Sequence, residues 1–158
     1  MVQGVAGPPS TRARNMNIRS PAYAIASTSA VCAVCGAWTH VIALVVPPNH
    51  AVRGESAWER APLRACLFYV EDLAEPVRAA VHLLAPWYRL ARSAATGTAY
   101  WMNHCEHCGE AQEDHDLHCE PASAFMPTGE DGAAHVECLG VAEPFAAVAG
   151  GYSYEPSF

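Results

Sequence analysis

Two short motifs in this 158-residue chain have the composition and spacing of metal ligands. Each has two cysteines separated by two residues and followed by glycine: Cys32-Ala-Val-Cys35-Gly36 and Cys105-Glu-His-Cys108-Gly109. The two-residue gap lets the chain turn back, so that both sulfurs converge on one tetrahedral ion at about 2.3 Å. The glycine readily takes the positive φ that such a turn needs. We call these motifs the first knuckle (32–36) and the second knuckle (105–109), and predict one metal site with four ligands: Cys32, Cys35, Cys105 and Cys108.

The other thiols favour metal binding over disulfide bonds. The chain has seven cysteines, which is an odd number, and Cys66, Cys119 and Cys138 lie outside the knuckles. Paired CxxC motifs suit metal ligation in a reducing cytoplasm. A thioredoxin-like dithiol should open a helix, whereas glycine and a strand-like segment follow Cys35. We expect one structural Zn²⁺, with iron as the alternative, since a tetrahedral site of four sulfurs suits both metals.

A histidine-rich stretch is the second place where a metal is conceivable. Within sixteen residues the chain carries His104, His107, His115, His118 and Cys119. His115 and His118 with a neighbouring acid would form an open catalytic site, which commonly combines histidine with carboxylate. The acids in question are Glu113, Asp114 and Asp116. No HExxH motif fixes such a geometry, so we expect no second metal and no catalytic residues.

The knuckles resemble those of zinc-ribbon and rubredoxin-like proteins, in which paired CxxCG motifs hold one metal ion. The stretch Tyr100 to Gly109, followed by Gln112, Leu117-His118 and Glu120-Pro121, is similar to a set of small, poorly characterised bacterial zinc-ribbon proteins. The similarity covers about residues 23–127 and is densest over 98–127. It implies the metal-ligand role for the four knuckle cysteines and implies no catalytic residues.

Strand-like segments lead into and out of both knuckles. Residues 23–31 alternate weakly, and residues 39–46 (THVIALVV) carry the strongest β pattern of the chain. Residues 87–92 and 98–104 predict a β-hairpin that runs into the second knuckle. Between these parts, residues 49–62 read as a polar connection, and capping residues followed by apolar spacing predict a short helix that ends at Pro86.

These elements predict an α+β fold: a zinc ribbon of two knuckle-bearing β-hairpins, with an inserted segment (49–86) that contains one or two short helices. We predict a single domain at residues 21–148, a disordered N-terminal lead-in at 1–20 and a C-terminal tail at 149–158. The knuckles are separated by sixty-nine residues. This separation is no obstacle, because the entropy of loop closure grows only logarithmically with length.

The charge distribution bears on the partner. Residues 1–54 carry four arginines and no acid, whereas residues 93–158 carry eleven acids and no lysine or arginine. Nucleic-acid binding depends on cations that neutralise phosphates, and the second knuckle lies in the acidic part. We therefore expect a non-catalytic structural-zinc protein that binds another protein. The alternatives are a nucleic-acid-binding zinc ribbon and a rubredoxin-like iron redox protein.

Residues 21–52 contain no charged residue and follow three arginines, which resembles a secretory signal. Serine, threonine and glycine interrupt the run, and it contains the first knuckle. We expect two strands here instead, no membrane association and a cytoplasmic location.

Overall fold

The computed structural model describes residues 15–158. In this part of the chain eleven strands and three short helices are present. The strands are β1 (Ile18–Ser20), β2 (Tyr23–Val31), β3 (Trp38–Val46), β4 (His50–Arg53), β5 (Trp58–Ala61), β6 (Ala65–Leu73), β7 (Tyr88–Arg92), β8 (Ala99–His104), β9 (Ala111–Gln112), β10 (Glu137–Val141) and β11 (Phe145–Tyr154). The helices are α1 (Glu75–Leu84), α2 (Asp114–His118) and α3 (Gly129–Ala134).

The strands form one sheet in which every pairing is antiparallel. The order along the main path is β10-β2-β3-β6-β11-β1-β4-β5. A branch leaves this path at β6, which also pairs with β8, and β8 in turn pairs with β7 and β9. β6 is therefore the strand that joins the two parts of the sheet carrying the knuckles.

β3 is buried on both faces, which explains its continuous run of apolar residues. Its alternate residues Ile42, Leu44 and Val46 pack in a core cluster with Val77 and Val81 of α1. The residues between them point to the opposite face, because side chains alternate along a strand. There Val41, Ala43 and Val45 pack with Leu117 and Phe125, at and after α2.

α1 covers one face of the sheet with a single apolar stripe. Val77 and Val81 lie four residues apart and are fully buried, while Leu83 on the other side is exposed. Pro76 is accommodated because the first turn of a helix has no intrahelical partner for its missing N–H. The predicted short helix is thus confirmed. At ten residues it is the longest helix within 15–158, and it is too short to cross a membrane.

The predicted fold class is wrong. The chain is mostly antiparallel β, and it is not a small zinc ribbon with inserted helices. The supposed insertion, residues 49–86, contains β4, β5 and β6 as well as α1, and its polar connection at 49–62 contains the β4–β5 hairpin. The prediction failed because β6 pairs with β3, β8 and β11, and pairing between segments so far apart in sequence leaves no local pattern.

Elements next to the knuckles agree with prediction. β2 and β3 are the two expected strands, and β7 and β8 form the expected hairpin.

The predicted boundaries at the two ends of the domain differ from the structure. Of the predicted lead-in, residues 1–14 lie outside the described part of the chain, and residues 18–20 form β1 between β11 and β4. β11 runs through the predicted boundary at residue 148.

Candidate metal centre

Both knuckles fold into the same turn. In the first, which joins β2 to β3, the Cys32 N–H donates to Ala37 O at 2.8 Å and the Gly36 N–H donates to Cys32 O at 3.0 Å. In the second, which joins β8 to β9, the Cys105 N–H donates to Glu110 O and the Gly109 N–H to Cys105 O, at 2.8 and 2.9 Å. The two glycines have φ values of 74° and 79°. They supply the left-handed conformation that other residues adopt only at a cost.

The structure brings all four predicted cysteines together. Their sulfur atoms all lie within 4.8 Å of one another. Cys32 Sγ lies 3.7 Å from Cys108 Sγ, and Cys35 Sγ lies 3.7 Å from Cys105 Sγ. A tetrahedral ion with metal–sulfur bonds of about 2.3 Å requires sulfurs about 3.8 Å apart, whereas a disulfide requires about 2.05 Å. These two distances therefore match the edges of a tetrahedral metal site, and each joins a sulfur of the first knuckle to a sulfur of the second.

The first cysteine of each knuckle is favoured as a thiolate. Backbone N–H groups of Cys35 and Val34 point at Cys32 Sγ and lower the pKa of Cys32 to about 6. In the second knuckle the N–H groups of Cys108 and His107 lower the pKa of Cys105 in the same way. Hydrogen bonds to the charged form always have this effect. The turn thus prepares one anionic ligand in each knuckle.

The second cysteine of each knuckle is disfavoured as a thiolate unless a cation is present. The Ala37 N–H stabilises charge on Cys35, but desolvation and the neighbouring sulfurs outweigh it and raise the pKa of Cys35. The Glu110 N–H is outweighed in the same way at Cys108, whose pKa rises to about 12. Four sulfurs this close can all be ionised only around a positive charge, because like charges oppose one another's ionisation. A divalent cation in the cluster removes this conflict.

Asn103 in β8 holds the two knuckle-bearing strands together. Its amide nitrogen donates to Ile42 O at 2.9 Å, and its amide oxygen accepts from the Ile42 N–H at 2.8 Å. β3 and β8 do not pair directly, so this fully buried side chain takes the place of a neighbouring strand. We did not predict this role. An asparagine within an apolar strand was the available signal, because asparagine is depleted in strands.

Side chains of the second knuckle also bind the start of β3. Glu106 accepts from the His40 N–H at 3.0 Å and from His40 Nδ1 at 2.7 Å, while its own N–H donates to Thr39 Oγ1 at 3.0 Å. The backbone N–H of His40 is the main reason that the pKa of Glu106 is lowered. His107 Nε2 donates to Trp38 O at 3.0 Å. These contacts hold the second knuckle against the start of β3, the strand that follows the first knuckle.

Gln112 in β9 completes the surroundings of the sulfurs. Its buried amide nitrogen donates to Cys32 Sγ at 3.3 Å and to Glu110 O at 3.0 Å. A residue next to the second knuckle therefore hydrogen-bonds a sulfur of the first. Such contacts from outside the ligand set orient metal ligands and tune their charge.

The histidines of this stretch lie in different surroundings. His118 is buried between the rings of Phe68 and Phe125, and burial lowers its pKa to about 3. His115 is exposed and lies 3.5 Å from Glu120. Within residues 15–158, the four knuckle cysteines are the one group of three or more candidate ligands whose ligand atoms all lie within 4.8 Å of one another. His104 Nδ1 faces the carbonyls of Trp87 and Met102 instead of a sulfur.

The acids beside these histidines have other contacts. Asp114 is buried against β6, where it accepts the Tyr69 N–H at 2.7 Å, and burial raises its pKa to about 7. Glu113 accepts from the hydroxyls of Tyr100 and Ser93. Asp116 lies 3.7 Å from His115 at the surface. The three acids therefore point to different places and do not converge on one ion.

Comparison of the chain with protein-family models, with curated proteins and with solved structures gives no match. The resemblance to zinc ribbons therefore rests on the sequence and the geometry of the two knuckles.

Proposed function

We propose that this protein binds one Zn²⁺ ion through Cys32, Cys35, Cys105 and Cys108, and that the ion has a structural role. The observation that carries the proposal is the cluster of four sulfurs within 4.8 Å of one another, in which two distances between the knuckles, each 3.7 Å, match the edge of a tetrahedral S₄ site. Four cysteines would fill all four positions of the ion. A catalytic zinc keeps one position for water or substrate, so this ligand set favours a closed site.

The position of the cluster in the chain supports a structural role. The ion would tie the β2–β3 turn to the β8–β9 turn, which belong to different branches of the sheet. Cys32 and Cys105 are buried, whereas Cys35 and Cys108 are exposed. Zinc bound in this way stabilises the folded chain, because the unfolded chain does not present the four sulfurs together.

We further propose that the protein is a non-catalytic interaction module that binds another protein. Exposed apolar side chains surround the first knuckle, namely Val31, Val34 and Trp38, of which Trp38 is 68% exposed. A group of exposed apolar residues around a rigid turn is typical of a contact surface. The acidic C-terminal part of the chain speaks against nucleic acid as the partner.

Metal analysis of the purified protein tests the metal site. We expect one zinc ion per chain in native mass spectrometry and in elemental analysis. Iron in the same amount, with a red-brown colour, would support the rubredoxin-like alternative instead. Alkylation provides the internal control: in the metal-bound protein the exposed thiols Cys119 and Cys138 should react, while the four knuckle cysteines stay protected until a chelator is added. A folded, metal-free chain with all four knuckle cysteines reactive would refute the proposal.

A further inference from the structure

We propose that the free edge of β2 beside the first knuckle is the docking site for an extended, positively charged segment of a partner protein. The inference rests on the proposed function, because it names the surface and the partner chemistry of the interaction module. Extended peptides commonly bind by adding a strand to an open sheet edge.

The edge is open because β10 is shorter than β2. β10 pairs with β2 from Val141 opposite Tyr23 to Glu137 opposite Ser27. Before residue 137 the chain turns away into α3, where the His135 and Val136 N–H groups donate to Gly132 O and Ala133 O. β2 continues beyond Ser27 for four more residues (28–31), which pair only with β3.

The pairing pattern shows which backbone groups face outward. The Cys32 N–H donates to Ala37 O across the β2–β3 pair. Because hydrogen-bonded and non-hydrogen-bonded pairs alternate between antiparallel strands, Val31 and Ser29 point their N–H and C=O groups away from β3. His40, which lies opposite Ser29 on β3, shows the same alternation: its N–H points away from β2 and donates to Glu106. Ser29 and Val31 therefore continue the row of outward groups that Ser27 uses to pair with β10.

A groove of about 790 Å³ runs along this edge. One wall is formed by the consecutive residues 27–31 of β2, so that side chains from both faces of the strand contribute. The other wall is formed by residues 122–124, 127–128, 132 and 135. A groove bounded in this way follows the strand edge, and its volume lies within the range of pockets that bind ligands. It has room for a short extended segment in the position that β10 leaves at Glu137.

The lining of the groove indicates the chemistry of the segment. Asp116 and Glu137 line it, and no lysine or arginine does. Glu106 lies beside it through its contact with His40. Val31 and Trp38 add exposed apolar surface at the knuckle end. A segment that alternates lysine or arginine with apolar residues matches both features, because alternate side chains of a strand point to opposite faces.

Peptide titration tests the inference on the full, metal-loaded chain. The probe is a capped heptapeptide of alternating lysine and valine, and the control is the same peptide with glutamate in place of lysine. We expect binding of the lysine peptide, measured by calorimetry, with an affinity that falls as salt is added. We expect at least tenfold weaker binding of the glutamate peptide. Equal binding of the two peptides, or no binding of the lysine peptide, would overturn the inference.

Backbone pairing is tested with two further peptides, N-methylated on every lysine or on every valine. Only alternate N–H groups of an added strand face β2, so methylation blocks pairing in just one of the two peptides. That methylated peptide should bind at least tenfold less tightly than the unmethylated peptide. Ser29→Pro removes an outward N–H without breaking a bond to β3, and should weaken binding similarly, whereas Ser29→Ala should not. If Ser29→Pro unfolds the chain, the methylated peptides still decide. Unchanged binding of both methylated peptides overturns the proposal.

Two measurements separate this inference from its rivals. If sedimentation shows a stable dimer that the lysine peptide does not dissociate, the edge is occupied by a second copy and the partner segment is refuted. Metal content is measured on every sample. If metal-loaded protein does not bind the lysine peptide, the docking site is refuted and the metal site is not. Metal-free, folded protein that binds the lysine peptide in the predicted way overturns the zinc site alone.

Discussion

Replacing Cys105 with serine should remove the metal ion and lower the free energy of unfolding by about 4 kcal/mol. The magnitude follows from linkage, because the unfolded chain does not present the four sulfurs together. An ion that binds only the folded chain adds about 4 kcal/mol to the free energy of unfolding when its free concentration is about 1,000 times its Kd. The two core clusters consist of residues outside the knuckles, so we expect the variant to fold with reduced stability.

The assay is denaturant and thermal unfolding followed by circular dichroism, each with and without a chelator. For a domain of this size, 4 kcal/mol corresponds to a drop in Tm of roughly 10 °C. The control is Cys138→Ser, since this exposed thiol lies outside the cluster. The wild type and Cys138→Ser should lose stability on chelation, whereas Cys105→Ser should not respond, because both changes remove the same ion. A Cys105→Ser variant as stable as the wild type, or one that the chelator destabilises equally, would refute the reasoning.

Two further predictions concern residues around the site. Asn103→Ala leaves the buried N–H and C=O of Ile42 without partners, so it should cost about 3 kcal/mol and also weaken metal binding. Asn17→Ala removes the same pair of bonds from Ala149 in β11, a strand that carries no knuckle; equal loss of metal affinity in both variants would contradict the role assigned to Asn103. Asp114 has its pKa raised by burial to about 7, so its contribution to stability is full below the unfolded pKa of 3.8 and is lost as the pH rises through 7. Between pH 5 and 8, urea titrations should show the wild type losing about 3 kcal/mol relative to Asp114→Asn; parallel pH profiles would contradict this.

Local patterns were sufficient for the ligands and for the strands next to them. The CxxCG spacing carries its own turn, because the glycine accepts a positive φ and the two intervening residues place both sulfurs on one side. β3 was recognisable from its apolar run, and α1 from its apolar spacing. The capping prediction for α1 was wrong, because its N-cap is Ala74, which makes no side-chain cap hydrogen bond. Each of these features depends on interactions within about ten residues.

The fold class was not accessible in this way. The apolar residues of β6 do not by themselves distinguish a strand from a buried helix, and β6 pairs with three strands that are distant in the chain. The β4–β5 hairpin read as a polar connection, because it lies near one end of the sheet, where residues such as Glu59 and Arg60 are exposed. The choice between a small ribbon and a large sheet depends on such long-range strand pairing. The local pattern of apolar and polar residues does not determine which distant strands pair.

The sequence alone therefore determined which four residues can hold a metal ion, since that property depends on residue type and short spacing. The tertiary structure decided that the two knuckles meet. It did so through the clamp of Asn103 on Ile42 and the contacts of Glu106 with His40. It also decided that β2 runs four residues beyond the pairing of β10, which leaves an open edge next to the sulfurs. These features depend on where distant segments lie in space, and no short stretch of the chain encodes that.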